Sequence, residues 1–170
     1  VTNDLFQLIY VFDMGNNNDK ALGTAFDYLE YLGTSDMTPE ELKSEFYRLA
    51  CTFYVSPGNE RTYVVLSGLN ENMPAAIRLF EKLLADAQVN KEAYDNLVGD
   101  ILKARADAKL NQGQNFSRLM NYAMYGPKSP ATNLLTEAEL ASMNPQKLVD
   151  RIHNQNNYKH RILYYGPSSS

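Results

Sequence analysis

The side chains that could carry metal-dependent or nucleophilic chemistry are few. The 170 residues include two histidines, His153 and His160, and one cysteine, Cys51. A zinc site needs several histidine, cysteine, aspartate or glutamate side chains that converge, and these two histidines do not have a zinc-site spacing. We predict that both are surface or hydrogen-bonding residues. Cys51 lies in an apolar stretch, which favours a small buried residue over a reactive nucleophile.

Other catalytic patterns are also missing. A serine nucleophile needs a neighbouring histidine and an orienting acid, but the sequence has no Gly-x-Ser-x-Gly elbow, and no histidine can be placed beside Ser67-Gly68. The turn Gly15-Asn16-Asn17-Asn18 lacks the second glycine and the lysine of a phosphate-binding loop. Several cations are predicted to lie on solvated faces or in helix ion pairs: Arg61, Lys103, Arg105 and Lys109.

The composition is that of one globular domain in a soluble protein. The net charge of -4 argues against a nucleic-acid partner, which usually requires a basic face. No apolar run reaches membrane-spanning length. The chain starts at Val1 almost directly in a strand, and Gly166 to Ser170 directly follow another strand. We therefore expect residues 1–170 to be a single domain excised from a larger multi-domain chain.

The elements that must position these side chains can be predicted from periodicity and capping signals. Alternating β-branched and aromatic residues predict strands, and apolar residues at helical spacing behind capping residues predict helices. The predicted strands are Leu5–Asp13, Cys51–Ser56, Arg61–Ser67 and Tyr158–Tyr165. The predicted helices cover Lys20–Leu32 with Gly33 as its stop, and begin near Pro39, Met73, Lys91, Asn115, Glu137 and Pro145.

This order of elements predicts an α+β fold. Strands and helices do not alternate strictly, so a doubly wound parallel sheet is not expected. The predicted architecture is a mixed or antiparallel sheet with helices packed on one face.

The segments between Ala21 and Asp107 resemble the repeated homology domain of the M16 (pitrilysin/insulinase) zinc metallopeptidases. Their order and spacing carry the resemblance, rather than any single motif. A helix ends in Gly33-Thr34, a Thr-Pro-Glu-Glu-Leu helix starts at Thr38, a strand pair ends in Leu66–Leu69, and a helix spans Ala76–Leu84. With the closing segment His160–Pro167, the chain looks like the non-catalytic third-quarter domain of long bacterial members.

The resemblance implies where zinc ligands would lie in an active domain. The family's His-x-x-Glu-His motif falls on residues 24–28, where Thr24 and Tyr28 replace the two histidines and Asp27 replaces the glutamate. The third ligand, a glutamate, maps to about Ala104. Neutral threonine and tyrosine oxygens are poor substitutes for imidazoles on Zn²⁺. We therefore predict no metal or cofactor in this domain, and Zn²⁺ only in an active domain of the parent.

The stripe formed by Thr24, Tyr28 and Tyr31 has two open interpretations. It is either a helix face buried against neighbouring elements or a polar wall that faces a peptidase chamber.

The predicted function is that of a catalytically inactive domain of an M16 zinc metalloendopeptidase. Its partners would be the other domains of the same chain and the unfolded peptide substrate of the parent, in the bacterial cytoplasm or periplasm. The first alternative is a free-standing M16-like interaction module without a peptidase partner. A weaker alternative is a hydrolase that uses Asp27 or the pair His153 and His160.

Overall fold

A four-stranded antiparallel sheet forms one layer of the molecule, and the strands follow the order β2-β3-β1-β4. The computed structural model describes residues 4–129 and 132–167. The strands are β1 Leu5–Phe12, β2 Cys51–Pro57, β3 Thr62–Leu69 and β4 His160–Tyr165. The α+β class is confirmed, and every strand pair is antiparallel.

The helices form the second layer. Within the described residues they are α1 Leu22–Leu29, α2 Pro39–Arg48, α3 Met73–Asp86, α4 Lys91–Leu110, α5 Gln112–Tyr125, α6 Glu137–Ser142 and α7 Gln146–His153. The element order predicted from the sequence is confirmed. Helix α5 begins earlier than predicted, because the Asn111 side chain already accepts the backbone N–H of Gln114 and caps the helix.

Alternation along the central strands places the core between the two layers. In β1, Phe6, Leu8, Tyr10 and Phe12 all belong to the buried cluster that the helices cover. Residues at alternate positions of a strand point to opposite faces, so the residues between them lie on the other face. The core thus lies on the helical side of the sheet.

Gly33 does not end α1 in the way that we predicted. The helix ends at Leu29, and the N–H groups of Tyr31 and Leu32 continue it as tighter turns on the carbonyls of Tyr28 and Leu29. Gly33 is not among the described residues with positive φ. A Cβ at this position would lie 2.4 Å from the Met37 carbonyl oxygen. The glycine is therefore needed for a close backbone approach, not for a left-handed cap.

Strand β4 is an edge strand whose side chains are exposed on both faces. It pairs with β1 from Gln7↔Tyr165 to Phe12↔His160. All six of its residues are exposed, including Ile162, at 53%, and Leu163, at 54%, which point to opposite faces. Among residues 4–129 and 132–167, the helical layer therefore does not cover this edge of the sheet.

Helix α5 carries its apolar side chains outward. Phe116, Leu119, Met120 and Met124 follow the i, i+3, i+4, i+8 pattern, so they share one helix face. They are 44% to 64% exposed. Arg118 is half-buried and lies on the opposite side of the helix.

Glu139 links α6 to the rest of the fold and provides a pH-dependent test. Its carboxylate accepts the Thr136 N–H at 2.8 Å in a capping box and pairs with Lys20. The Lys20 ammonium first, and then the Thr136 hydrogen bonds, lower the pKa of Glu139 from 4.5 to about 2. The charged form stabilises the fold, so this contribution is complete above pH 4.5 and is lost as the pH falls towards 2.

We expect the variant Glu139→Gln to lose less stability than the wild type between pH 5 and pH 2. The measurement is the Tm from thermal circular dichroism across this range. The matched control is Glu92→Gln, because Glu92 is exposed and forms no ion pair within the described part of the chain. Parallel pH profiles for Glu139→Gln and the wild type would contradict the expectation.

Candidate functional site

Helix α1 carries three of the four positions that the zinc motif would occupy. Its core-facing residues, among them Ala25 and Phe26, are almost completely buried. Thr24 is half-buried and Asp27 is exposed, whereas Tyr28 is completely buried. The three positions therefore do not share one environment.

Tyr28 is held by its hydroxyl group and its ring. The hydroxyl donates a hydrogen bond to the Asn90 carbonyl oxygen and accepts one from the Asn90 N–H at 2.9 Å. The ring meets Tyr94 edge to face, with centroids 5.7 Å apart. Burial raises the pKa of Tyr28, and the charge of Asp95 adds to this effect. The neutral phenol thus connects α1 to the start of α4.

Asp27 keeps an exposed carboxyl group, but its surroundings disfavour the charged form. Partial desolvation is the main cause of its raised pKa, and the neighbouring Glu30 carboxylate is the second. Glu30 lies one helical turn further along α1, so the two like charges repel each other. No cation forms an ion pair with Asp27 within residues 4–129 and 132–167.

Ala104 is exposed on the second half of α4. The contact between α1 and α4 at Tyr28 involves Tyr94, in the first turn of α4. Ala104 lies ten residues further along this helix, about 15 Å at the usual helical rise. The structure thus brings Tyr28 against α4, but at a point well away from Ala104.

The two histidines lie on different elements and contact backbone carbonyls. His153 Nε2 is 3.1 Å from the Ala87 carbonyl oxygen, and His160 Nδ1 is 2.8 Å from that of Tyr158. The prediction that both are surface or hydrogen-bonding residues is confirmed. Among the residues that the structure describes, no three His, Cys, Asp or Glu side chains are grouped in a way that could hold a metal ion.

Cys51 is a buried residue, as predicted. Its side chain is 7% exposed, and its thiol donates to the Leu49 carbonyl oxygen at 3.3 Å. Burial raises the pKa of the thiol. A thiol that resists ionisation is a poor nucleophile.

A groove that sequence reasoning missed lies beside Tyr31. Its volume is about 470 Å³, and it is lined by the end of α1, one face of α2 and the start of β2. Its walls include Leu42, Phe46 and Phe53. Tyr31 is 38% exposed at this groove, in contrast to the buried Tyr28. The proposed stripe of Thr24, Tyr28 and Tyr31 is therefore split, and Tyr28 belongs to the buried interpretation.

No helix within residues 4–129 and 132–167 is both long and apolar enough to cross a membrane.

Neither the protein-family models nor the curated proteins match this chain. Several solved structures, in contrast, are similar to it. The periplasmic protease PqqL from Escherichia coli superimposes with a TM-score of 0.78 at 14% identity, over 98% of this chain and 19% of that one. A peptidase M16 inactive domain from Pseudomonas fluorescens gives 0.79 at 15% identity, over 98% and 42%. A protease from Helicobacter pylori gives 0.76 at 12% identity, over 100% and 43%.

These likenesses show that the chain has the fold of M16 peptidase domains. The chain spans less than half the length of each of these three proteins. The match therefore covers only one part of a longer chain in each case.

Proposed function

We propose that this chain is a catalytically silent domain of a longer M16 zinc metallopeptidase. Its role is to support an active zinc domain elsewhere in the parent and to enclose unfolded peptide beside it. The domain itself holds no zinc. The parent's activity requires Zn²⁺ bound by the active domain.

The environment of Tyr28 carries the proposal. In the resemblance this position belongs to the second zinc-binding histidine. Here it is occupied by a phenol that is completely buried and hydrogen-bonded to both backbone groups of Asn90. A side chain used in this way is not available to a metal ion, and Thr24 and Ala104 offer no imidazole or carboxylate to replace it.

The M16 fold and the partial coverage of the neighbours support the proposal that the parent is a longer protein with an active zinc domain elsewhere. In all three reported neighbours, most of the polypeptide lies outside the part that this chain matches. We infer that the parent contains further domains, one of which carries His-x-x-Glu-His. A parent gene that encodes no such motif, in the same reading frame or in a partner gene, would overturn this inference.

We expect the purified chain to retain far less than one zinc ion per molecule. The measurement is the metal content by mass spectrometry after incubation with two equivalents of ZnCl₂ and desalting. The control is His153→Gln/His160→Gln, which removes adventitious binding by exposed imidazoles. Stoichiometric zinc in the wild-type chain, or peptide cleavage that a chelator blocks, would overturn the proposal.

A further inference from the structure

Three cationic side chains from two helices line one open cleft. It lies between α4, α5 and the segment 132–137, and its volume is about 440 Å³. Arg105 and Lys109 come from α4, and Arg118 comes from α5. The apolar residues that line the same cleft are Leu102, Ala106, Leu134 and Leu135.

None of these three cations has an acidic partner in the described part of the chain. The ion pairs found within residues 4–129 and 132–167 involve other residues. Among the described lining residues, Glu137 is the only carboxylate, so three positive charges face one negative charge. Of the two alternatives predicted for Arg105 and Lys109, solvated faces or helix ion pairs, the ion pairs are not found within the described residues.

Arg105 is held in place by a backbone contact. Its Nη1 donates a 2.7 Å hydrogen bond to the Leu135 carbonyl oxygen, which joins α4 to the far wall of the cleft. This contact leaves the guanidinium charge without a counter-charge. Like charges that converge without an anion repel each other, and an incoming carboxylate relieves this repulsion.

The sequence around α5 also has basic residues and no acidic ones. From Ala108 to Thr136 there is no aspartate or glutamate, and the charged residues are Lys109, Arg118 and Lys128. The whole chain has a net charge of -4. A basic segment in an acidic protein attracts anionic partners selectively to one place on its surface.

We propose that this cleft binds an acidic segment of an extended polypeptide. Carboxylates of the segment pair with Arg105, Lys109 and Arg118, and its apolar side chains pack against the leucines of the cleft. The apolar lining favours a peptide over a free inorganic anion, which would use only the charges. The inference rests on the proposed function, because it names acidic polypeptides as the class that the enclosing domain receives.

The test is the affinity of two fluorescein-labelled decapeptides, measured by fluorescence anisotropy with the purified chain. One peptide alternates glutamate and leucine, and the other has glutamine in place of each glutamate. We expect the glutamate peptide to bind at least about tenfold more tightly, with an affinity that falls as NaCl is raised. Two partly exposed ion pairs together account for a factor of about ten.

The variant Lys109→Gln/Arg118→Gln should lose about tenfold in affinity for the glutamate peptide. The matched control, Lys103→Gln, removes an exposed α4 cation that does not line the cleft and should bind like the wild type. Circular dichroism checks that both variants are folded. Equal binding of the two peptides, or an unchanged affinity of the double variant, would overturn the proposal.

Full competition by millimolar inorganic phosphate would also overturn it, in favour of a simple anion site. A chain that holds no zinc but fails to bind the glutamate peptide would refute the cleft and leave the silent-domain proposal standing. A chain that binds both the glutamate peptide and one zinc ion would refute the silent-domain proposal and leave the cleft proposal standing.

Discussion

Replacing Tyr28 with alanine should lower the free energy of unfolding by about 4 kcal/mol, which is typical for a buried aromatic side chain cut back to a methyl group. Tyr28 is completely buried, and its ring packs edge to face against Tyr94. The substitution removes this packing and both hydrogen bonds to Asn90. Urea denaturation followed by circular dichroism gives the change.

Two further variants separate the contribution of the Tyr28 hydroxyl from that of its buried ring. Tyr28→Phe keeps the ring and removes only the hydroxyl, so a loss of about 1–2 kcal/mol is expected. Tyr31→Ala removes a tyrosine that is 38% exposed on the same helix and should cost clearly less. If Tyr28→Ala cost no more than Tyr31→Ala, Tyr28 would not be a structural residue. The main support for a silent zinc position would then be gone.

Phe80→Ala is expected to have an effect of similar size, about 3–5 kcal/mol. Phe80 is completely buried in α3, where its ring lies 5.1 Å from that of Phe53 and 6.0 Å from that of Tyr10. It therefore joins the helical layer to two strands of the sheet. The cavity left by the ring would remove contacts with both strands.

Tyr47→Ala is the comparison for this variant. Tyr47 is 88% exposed, so its loss should change the free energy of unfolding by less than about 0.5 kcal/mol. Chemical denaturation in guanidinium chloride measures both variants under the same conditions. A cost below about 1 kcal/mol for Phe80→Ala would show that the layer contact at this ring contributes little.

The parts of the fold that depend on neighbouring residues could be predicted from the sequence. The capping boxes at Thr38 and Thr136 satisfy the first N–H groups of their helices through residues only three positions away. The hairpin between β2 and β3 follows from Pro57 and Gly58, and the Gly58 N–H bonds to the Arg61 carbonyl. Such signals are local, so they are visible in a single chain.

The candidate site depends on contacts between distant residues, and the sequence alone could not decide them. Tyr28 meets Asn90 across 62 positions, so its burial was one of two open interpretations. Arg105 of α4 and Arg118 of α5 line the same cleft, and a helical pattern in the sequence does not specify how two such helices are oriented. The acid-free stretch from Ala108 to Thr136 was the only available signal for the cleft.

The exposed edge strand β4 has a consequence for how the chain behaves at high concentration. Its outer backbone groups face away from β1, and its last five residues, Arg161 to Tyr165, include no acidic side chain. Apolar side chains on both faces of an edge strand favour pairing with a strand of another molecule. The single charge among these five residues, Arg161, is paired with Asp13 and contributes less repulsion between molecules than a free charge would. The solubility of the isolated chain therefore depends on what covers strand β4, His160–Tyr165.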